Sequence, residues 1–213
     1  MTEDLFGPDA RAAPEQISGF EIHRLLLGPD GQAQILSDLR AVIRLAPLVQ
    51  HVTAWGKPMT VRMTSAGAVG WIIHRGKYRY ADRHPGTGAP WPAIPQSVLA
   101  VWDGVVPGGD APNSCLINWY SDGARMGLHQ DRDEGDFSHP VVSVSLGDPA
   151  RFRMGGTERS DPTTSTVLNS GDVVVMGGAA RLGFHGVDRV LFGKGDLIPA
   201  GGRINITLRV VRL

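Results

Sequence analysis

The chain has 213 residues, with 21 basic and 21 acidic side chains that balance to zero formal charge, and a single cysteine, Cys115. That length holds one domain with a sizeable core without requiring two. The charge balance excludes a global field that draws the protein to nucleic acid or membrane, so any such contact must come from a local patch. One cysteine excludes an intrachain disulfide and fits a reducing compartment. Beside Leu116 and Ile117 it reads as a buried thiol rather than a nucleophile.

In chain order, residues 1–16 read as a flexible lead-in without the basic and apolar regions of a secretory signal. No run approaches the roughly 18 apolar residues of a membrane span, so a soluble, cytoplasmic protein is expected. Gly19 to Leu27 reads as a strand. From Gln32 to Leu45, the residues Ile35, Leu36, Leu39, Val42 and Ile43 recur at helical spacing. Met59 to Trp71 alternates weakly and reads as a hairpin or mobile flap. His84 to Pro95 carries four prolines and two glycines, hence a loop. Gln96 to Val106 reads as a second short helix with Val98, Leu99 and Trp102 on its buried side. After Pro112 the pattern turns to strands, near Cys115–Tyr120, Val141–Leu146, Ala150–Met154, Thr166–Leu168, Asp172–Met176, Gly183–Val187 and Ile204–Val211. With 28 glycines and 15 prolines punctuating the chain, short strands at this spacing favour an antiparallel sandwich or barrel. The expected class is α+β, mainly β: a double-stranded β-helix (jelly roll) with N-terminal helices over one sheet. One domain is expected over 17–213, with a substrate-binding flap near 50–95 and the jelly-roll core near 113–213.

The chemistry concentrates in Leu128-His129-Gln130-Asp131. In an extended segment, side chains two apart point the same way, so His129 and Asp131 aim an imidazole and a carboxylate at one point. His185 lies 54 residues past the aspartate, and a later strand carrying it closes the third side. Two histidines and one carboxylate on one face form the arrangement of non-heme Fe(II) oxygenases. A His-x-Asp pair also occurs by chance, so the C-terminal strand matters. There, alternation sets Arg203, Asn205, Thr207 and Arg209 on one face and Ile204, Ile206 and Leu208 on the other. The plain reading is an edge strand with its arginines in water. The alternative is a dicarboxylate site, since guanidinium forks bind carboxylates through two parallel hydrogen bonds. An iron site beside such a face implies 2-oxoglutarate.

Seven ordered pieces then carry a resemblance: Gly70-Trp71 with Tyr78, Trp91-Pro92-Ala93-Ile94-Pro95, Asn118-Trp119-Tyr120, Leu128 to Glu134, Ser143 to Gly147, Gly171 to Val175 and Arg203 to Arg209. From about Ile17 to Arg209 the chain resembles the AlkB-type Fe(II)/2-oxoglutarate-dependent nucleic-acid dealkylases. The resemblance implies that His129, Asp131 and His185 ligate iron. It implies that Arg203 and Arg209 pair with the co-substrate's carboxylates, with Asn118, Tyr120 and Asn205 as further contacts. Trp71, Tyr78, Asp133 and Arg159 match residues that hold the damaged base and its strand. Met176 is a departure: it stands where the bacterial member that the chain most resembles carries a tryptophan near the iron.

The implied activity is oxidative demethylation of 1-methyladenine and 3-methylcytosine in single-stranded DNA or RNA, with O2 as oxidant, by a monomer. Arg209→Ala is expected to raise the 2-oxoglutarate requirement and spare iron binding. Each substrate residue has a plainer reading. Trp71 also suits a core, Tyr78 a surface and Asp133 a solvated acidic loop, while Arg159 has Glu158 and Asp161 as neighbours. His74, His84 and His139 read as surface or loop histidines. A 2-oxoglutarate oxygenase acting on protein or a small molecule, and a metal-free jelly-roll binding module, stay open.

Overall fold

The computed structural model describes residues 5–6, 12–53 and 56–212. An eight-stranded sheet forms one layer, built from β1 (Glu15–Ile17), β2 (Phe20–His23), β3 (Val49–Val52), β4 (Pro58–Gly67), β7 (Ser114–Tyr120), β9 (Val141–Gly147), β12 (Val173–Met176) and β14 (Arg203–Arg209). Its order is β1-β2-β12-β9-β14-β7-β4-β3. Facing it is a four-stranded sheet of β8 (Met126–His129), β10 (Ala150–Gly155), β11 (Thr163–Leu168) and β13 (His185–Val190), in the order β11-β10-β13-β8. A separate hairpin joins β5 (Gly70–His74) to β6 (Lys77–Ala81) through a turn in which Arg75 and Gly76 both have positive φ. The fold is a jelly roll, the antiparallel double sheet expected from the strand spacing.

Two helices, α1 (Pro29–Leu45) and α2 (Gln96–Val105), cover the outer face of the large sheet. Proline at the start of α1 has the φ that a first helical turn needs. Its stripe of Ile35, Leu36, Leu39 and Val42 meets Val98 and Trp102 of α2 and the outward side chains Ile204, Ile206 and Leu208 of β14 in one buried cluster. Burying each such side chain stabilises by about 1.5–3 kcal/mol. A second buried cluster lies between the sheets, with Phe20, Met63, Leu116, Phe152, Met154, Leu168 and Met176. No helix among the described residues is long and apolar enough to cross a membrane.

Several expectations change. The segment 50–95 is not one flap: β4 pairs with β7 from Val61 to Gly67 and with β3 nearer its start, so it belongs to the large sheet, and only β5 and β6 stand apart. The alternation of β4 is weak because residues 63–66 are all buried, whichever face they point to. The lead-in is partly tied down, since Glu15, Gln16 and Ile17 pair with β2 and Phe6 bridges to Leu27; residues 1–4 and 7–11 lie outside the described residues. β14 is not an edge strand but sits between β9 and β7. β8 is absent from the expected strands, although the segment from His129 to Asp131 reads as extended, because four residues with a glycine among them are too few for a strand period to show. His84 lies in a loop as expected but is buried, its Nδ1 accepting from the amides of Gly86 and Thr87.

Candidate active site

β8 and β13 are neighbours, and their register sets His129 directly opposite His185. Gly186 makes that approach possible: a Cβ there would lie 2.6 Å from the Met126 carbonyl oxygen and 2.9 Å from that of Gly127. The two imidazoles sit 4.5 Å apart between centroids. Asp131, just past β8, places Oδ1 3.7 Å from His129 Nε2 and Oδ2 3.9 Å from His185 Nε2. One donor atom from each residue lies within 4.8 Å of the others, which leaves room for an ion between them. His129 Nδ1 donates to Gly127 O at 2.9 Å, and His185 Nδ1 donates to Gly183 O at 3.0 Å. A carbonyl only accepts, so these bonds fix the proton on Nδ1 and leave both Nε2 lone pairs for a metal.

Charge is arranged to match. Burial, reinforced by His129, pushes His185 down to about 4, so its ring is neutral at pH 7. Burial alone would raise Asp131. Arg209, His185 and His129 outweigh it and hold the carboxyl well below the usual carboxylate range. An ionised carboxylate and neutral imidazoles are the protonation states that ligation requires.

Alternation along β14 turns Arg203, Asn205, Thr207 and Arg209 into the cleft between the sheets. Arg203 is 1% exposed; its Nη2 donates to Ser145 Oγ at 2.7 Å, and its Nε has no partner among the described residues. Burial pushes its guanidinium down to about 10, still charged at neutral pH. Arg209 Nη2 donates to Asp131 Oδ2 at 2.8 Å, while its Nη1 and Nε have no hydrogen-bond partner among the described residues. Across from them Asn118 Oδ1 is also orphaned, and burial pushes the Tyr120 phenol up to about 12. Asn205 Nδ2 is committed to Ser143 Oγ at 2.7 Å. Buried guanidinium nitrogens left unpaired call for an anionic ligand with several acceptor oxygens. A small dicarboxylate beside a divalent metal fits that need.

At the mouth, Trp71 of β5 stacks on Tyr78 of β6 with centroids 5.3 Å apart and planes at 19°. Trp71 Nε1 donates to Asp133 Oδ2 at 2.9 Å. Trp71 is therefore a half-buried cleft residue rather than a core one, and Asp133 is engaged rather than merely solvated. Arg159 ignores both acidic neighbours: its Nη1 donates to Leu128 O at 3.2 Å, and its guanidinium sits 5.7 Å from the centroid of the Phe184 ring. One cleft, open to solvent, is lined by the metal triad, the two arginines and the aromatic pair together. Thr207, Met63, Met126, Met176 and Phe152 also line it. Two buried charges beside the metal triad, Glu134 and Arg181, were not legible in the sequence, because their partners come from distant elements.

A jelly roll that converges two imidazoles and an ionised carboxylate opposite buried arginines defines a non-heme iron(II) dioxygenase with a dicarboxylate co-substrate. Comparison with known proteins agrees: a profile of the 2OG-Fe(II) oxygenase superfamily matches residues 19–209. An alpha-ketoglutarate-dependent dioxygenase AlkB homolog of Caulobacter vibrioides is 51% identical over 92% of this chain and 89% of its own length. The DNA N(6)-methyladenine demethylase ALKBH1C of Arabidopsis thaliana is 36% identical over 62% of this chain, and over only 35% of its own length. The solved structure of OsALKBH1 superposes with a TM-score of 0.76 at 28% identity, covering 92% of this chain and 98% of that one. The chain belongs to the 2OG-Fe(II) oxygenase superfamily and, within it, to the AlkB-type alpha-ketoglutarate-dependent dioxygenases.

Proposed function

We propose that the cleft removes N-linked methyl groups from bases of the 1-methyladenine and 3-methylcytosine type in single-stranded DNA or RNA. The observation that carries the reading is the convergence of His129, Asp131 and His185 beside the unpaired Nη1 of Arg209. The three donors would hold Fe(II). Iron with 2-oxoglutarate and O2 supplies oxidation of the N-methyl carbon, the dicarboxylate leaving as succinate and carbon dioxide. Arg203 and Arg209 would pair with the two carboxylates, and Asn118, Tyr120 and Asn205 would complete the polar wall. The hydroxymethyl group left on the base nitrogen sheds formaldehyde and restores the parent base.

The residues at the mouth suit a cationic base. Stacking of its ring against Trp71 or Tyr78 gains about 0.5–2 kcal/mol from the aromatic quadrupole. Asp133 adds charge attraction and an acceptor for the exocyclic amine, and Arg159 supplies a cation for the strand. Lost Watson–Crick pairing makes an alkylated base cheaper to extrude. The apolar wall of Phe152, Leu168 and Met176 limits water around the reacting carbon. The reading extends to a monomer in the cytoplasm, the compartment that a single free cysteine fits.

Mass spectrometry of oligonucleotides tests the substrate. Single-stranded DNA, single-stranded RNA and duplex DNA, each with one 1-methyladenine, are incubated with protein, Fe(II), ascorbate and 2-oxoglutarate. The single strands should lose one CH2 unit faster than the duplex. Unchanged strands accompanied by succinate formation would move the substrate to protein or a small molecule.

A further inference from the structure

One buried carboxylate has no part in this chemistry. Glu134 is 1% exposed, three residues past Asp131. Its Oε1 accepts the Tyr80 hydroxyl at 2.7 Å, and its Oε2 accepts Arg181 Nη2 at 3.0 Å. Arg209 Nε lies 3.3 Å from Oε1, an ion pair out of line for a hydrogen bond. These partners come from three places: Tyr80 from β6, Arg209 from β14, and Arg181 from the turn before β13. Arg181 is itself fully engaged, donating from Nη1 to Asp131 O and from Nε to His139 O, both at 2.7 Å.

A buried carboxylate left unpaired is strongly destabilising, so this one is held by two guanidiniums and a phenol. What it does for the Arg209 fork follows from planar geometry. Asp131 takes Nη2 and Glu134 attracts Nε, so both nitrogens along one edge of the planar guanidinium are anchored. Nη1 then has no hydrogen-bond partner among the described residues, and Nε has only its ion pair with Glu134. Without Glu134 the fork is free to swing fully onto Asp131, which withdraws it from the cleft. Tyr80 brings a second element to the same anchor, because β6 also carries Tyr78, the partner of Trp71 in the aromatic stack.

We infer that Glu134 is a positioning residue: it fixes the Arg209 fork toward the dicarboxylate and, through Tyr80, seats the aromatic hairpin over the same cleft. The inference rests on the dicarboxylate reading given above.

The test is the equilibrium binding of 2-oxoglutarate to Mn(II)-loaded protein, followed by calorimetry without nucleic acid, with hydrogen exchange of residues 70–81 alongside. Glu134→Gln should weaken 2-oxoglutarate about tenfold, the scale of a lost charge-assisted contact, and leave Mn(II) binding unchanged. Tyr80→Phe removes one hydroxyl. It should weaken 2-oxoglutarate a few-fold and speed exchange in the hairpin, with the large sheet unaffected. A Glu134→Gln protein that melts with the parent and binds 2-oxoglutarate equally well overturns the inference. Should that variant fail to fold, Tyr80→Phe decides alone, and unchanged binding and exchange overturn it. A parent protein that does not bind 2-oxoglutarate removes the dicarboxylate reading itself, and the inference with it.

Discussion

Arg203 and Arg209 end the same strand face, yet their surroundings assign them different work. The hydrogen bonds of Arg203 go to neutral groups, Ser145 Oγ and the Asp148 carbonyl oxygen. Arg209 is bonded to Asp131, one of the three metal-facing donors. The sequence-based expectation that Arg209→Ala spares metal binding therefore gives way, because the substitution also unpairs a metal-site carboxylate. Arg203→Ala should raise the 2-oxoglutarate dissociation constant by about tenfold or more and leave Mn(II) affinity unchanged. Arg209→Ala should weaken both, by calorimetric titration of each ligand; identical profiles for the two variants would contradict the division. Both arginines, and the alternation that aims them, were legible in Arg203-Ile204-Asn205-Ile206-Thr207-Leu208-Arg209. The bond between Arg209 and Asp131 was not, since it links residues 78 positions apart.

At the scale of elements, legibility followed periodicity. α1, α2, β9 and β14 each repeat apolar residues at a period that sequence shows, and each formed close to where that period placed it. β8 is too short, at four residues with one glycine, for a period to show, and its pairing with β13 is a tertiary fact. The same holds for the hairpin boundaries, where β4 looked like part of a flap until its pairing with β7 was visible. The close approach of β8 and β13 gives a sharp prediction at Gly186. The carbonyl oxygens that a Cβ would meet are backbone atoms and cannot turn aside. Gly186→Ala should cost about 1–3 kcal/mol of stability and also weaken metal binding, because the added methyl pushes His129 away from His185. Denaturant unfolding with a parallel Mn(II) titration checks both; loss of stability alone would mean that the sheet absorbs the strain elsewhere.

For the molecule as a whole, the buried site makes the metal-free protein acid-labile. His185 binds its proton at about 4 in the fold against 6.5 unfolded, so between those values the unfolded chain holds more protons and falling pH favours it. Stability should be complete above pH 6.5 and drop by up to about 3 kcal/mol as the pH reaches 4. Asp131, whose folded carboxyl is held below the usual range, adds a further loss at lower pH. Thermal melting across this range, with His185→Asn flattening the upper part, reads the effect; a parent and variant with the same slope would contradict it. The zero net charge leaves nucleic-acid binding to the local groups at the cleft mouth, so affinity should be modest and salt-sensitive. The central claim is that the triad and the arginine-lined cleft together demethylate a base, and formaldehyde release tests it most directly. The protein is supplied with Fe(II), ascorbate, 2-oxoglutarate and a short single strand carrying one 1-methyladenine, with His129→Ala as the comparison. Formaldehyde that requires 2-oxoglutarate and disappears with His129→Ala is the predicted result. Equal release by both proteins, or none from a parent shown to bind metal and 2-oxoglutarate, would contradict it.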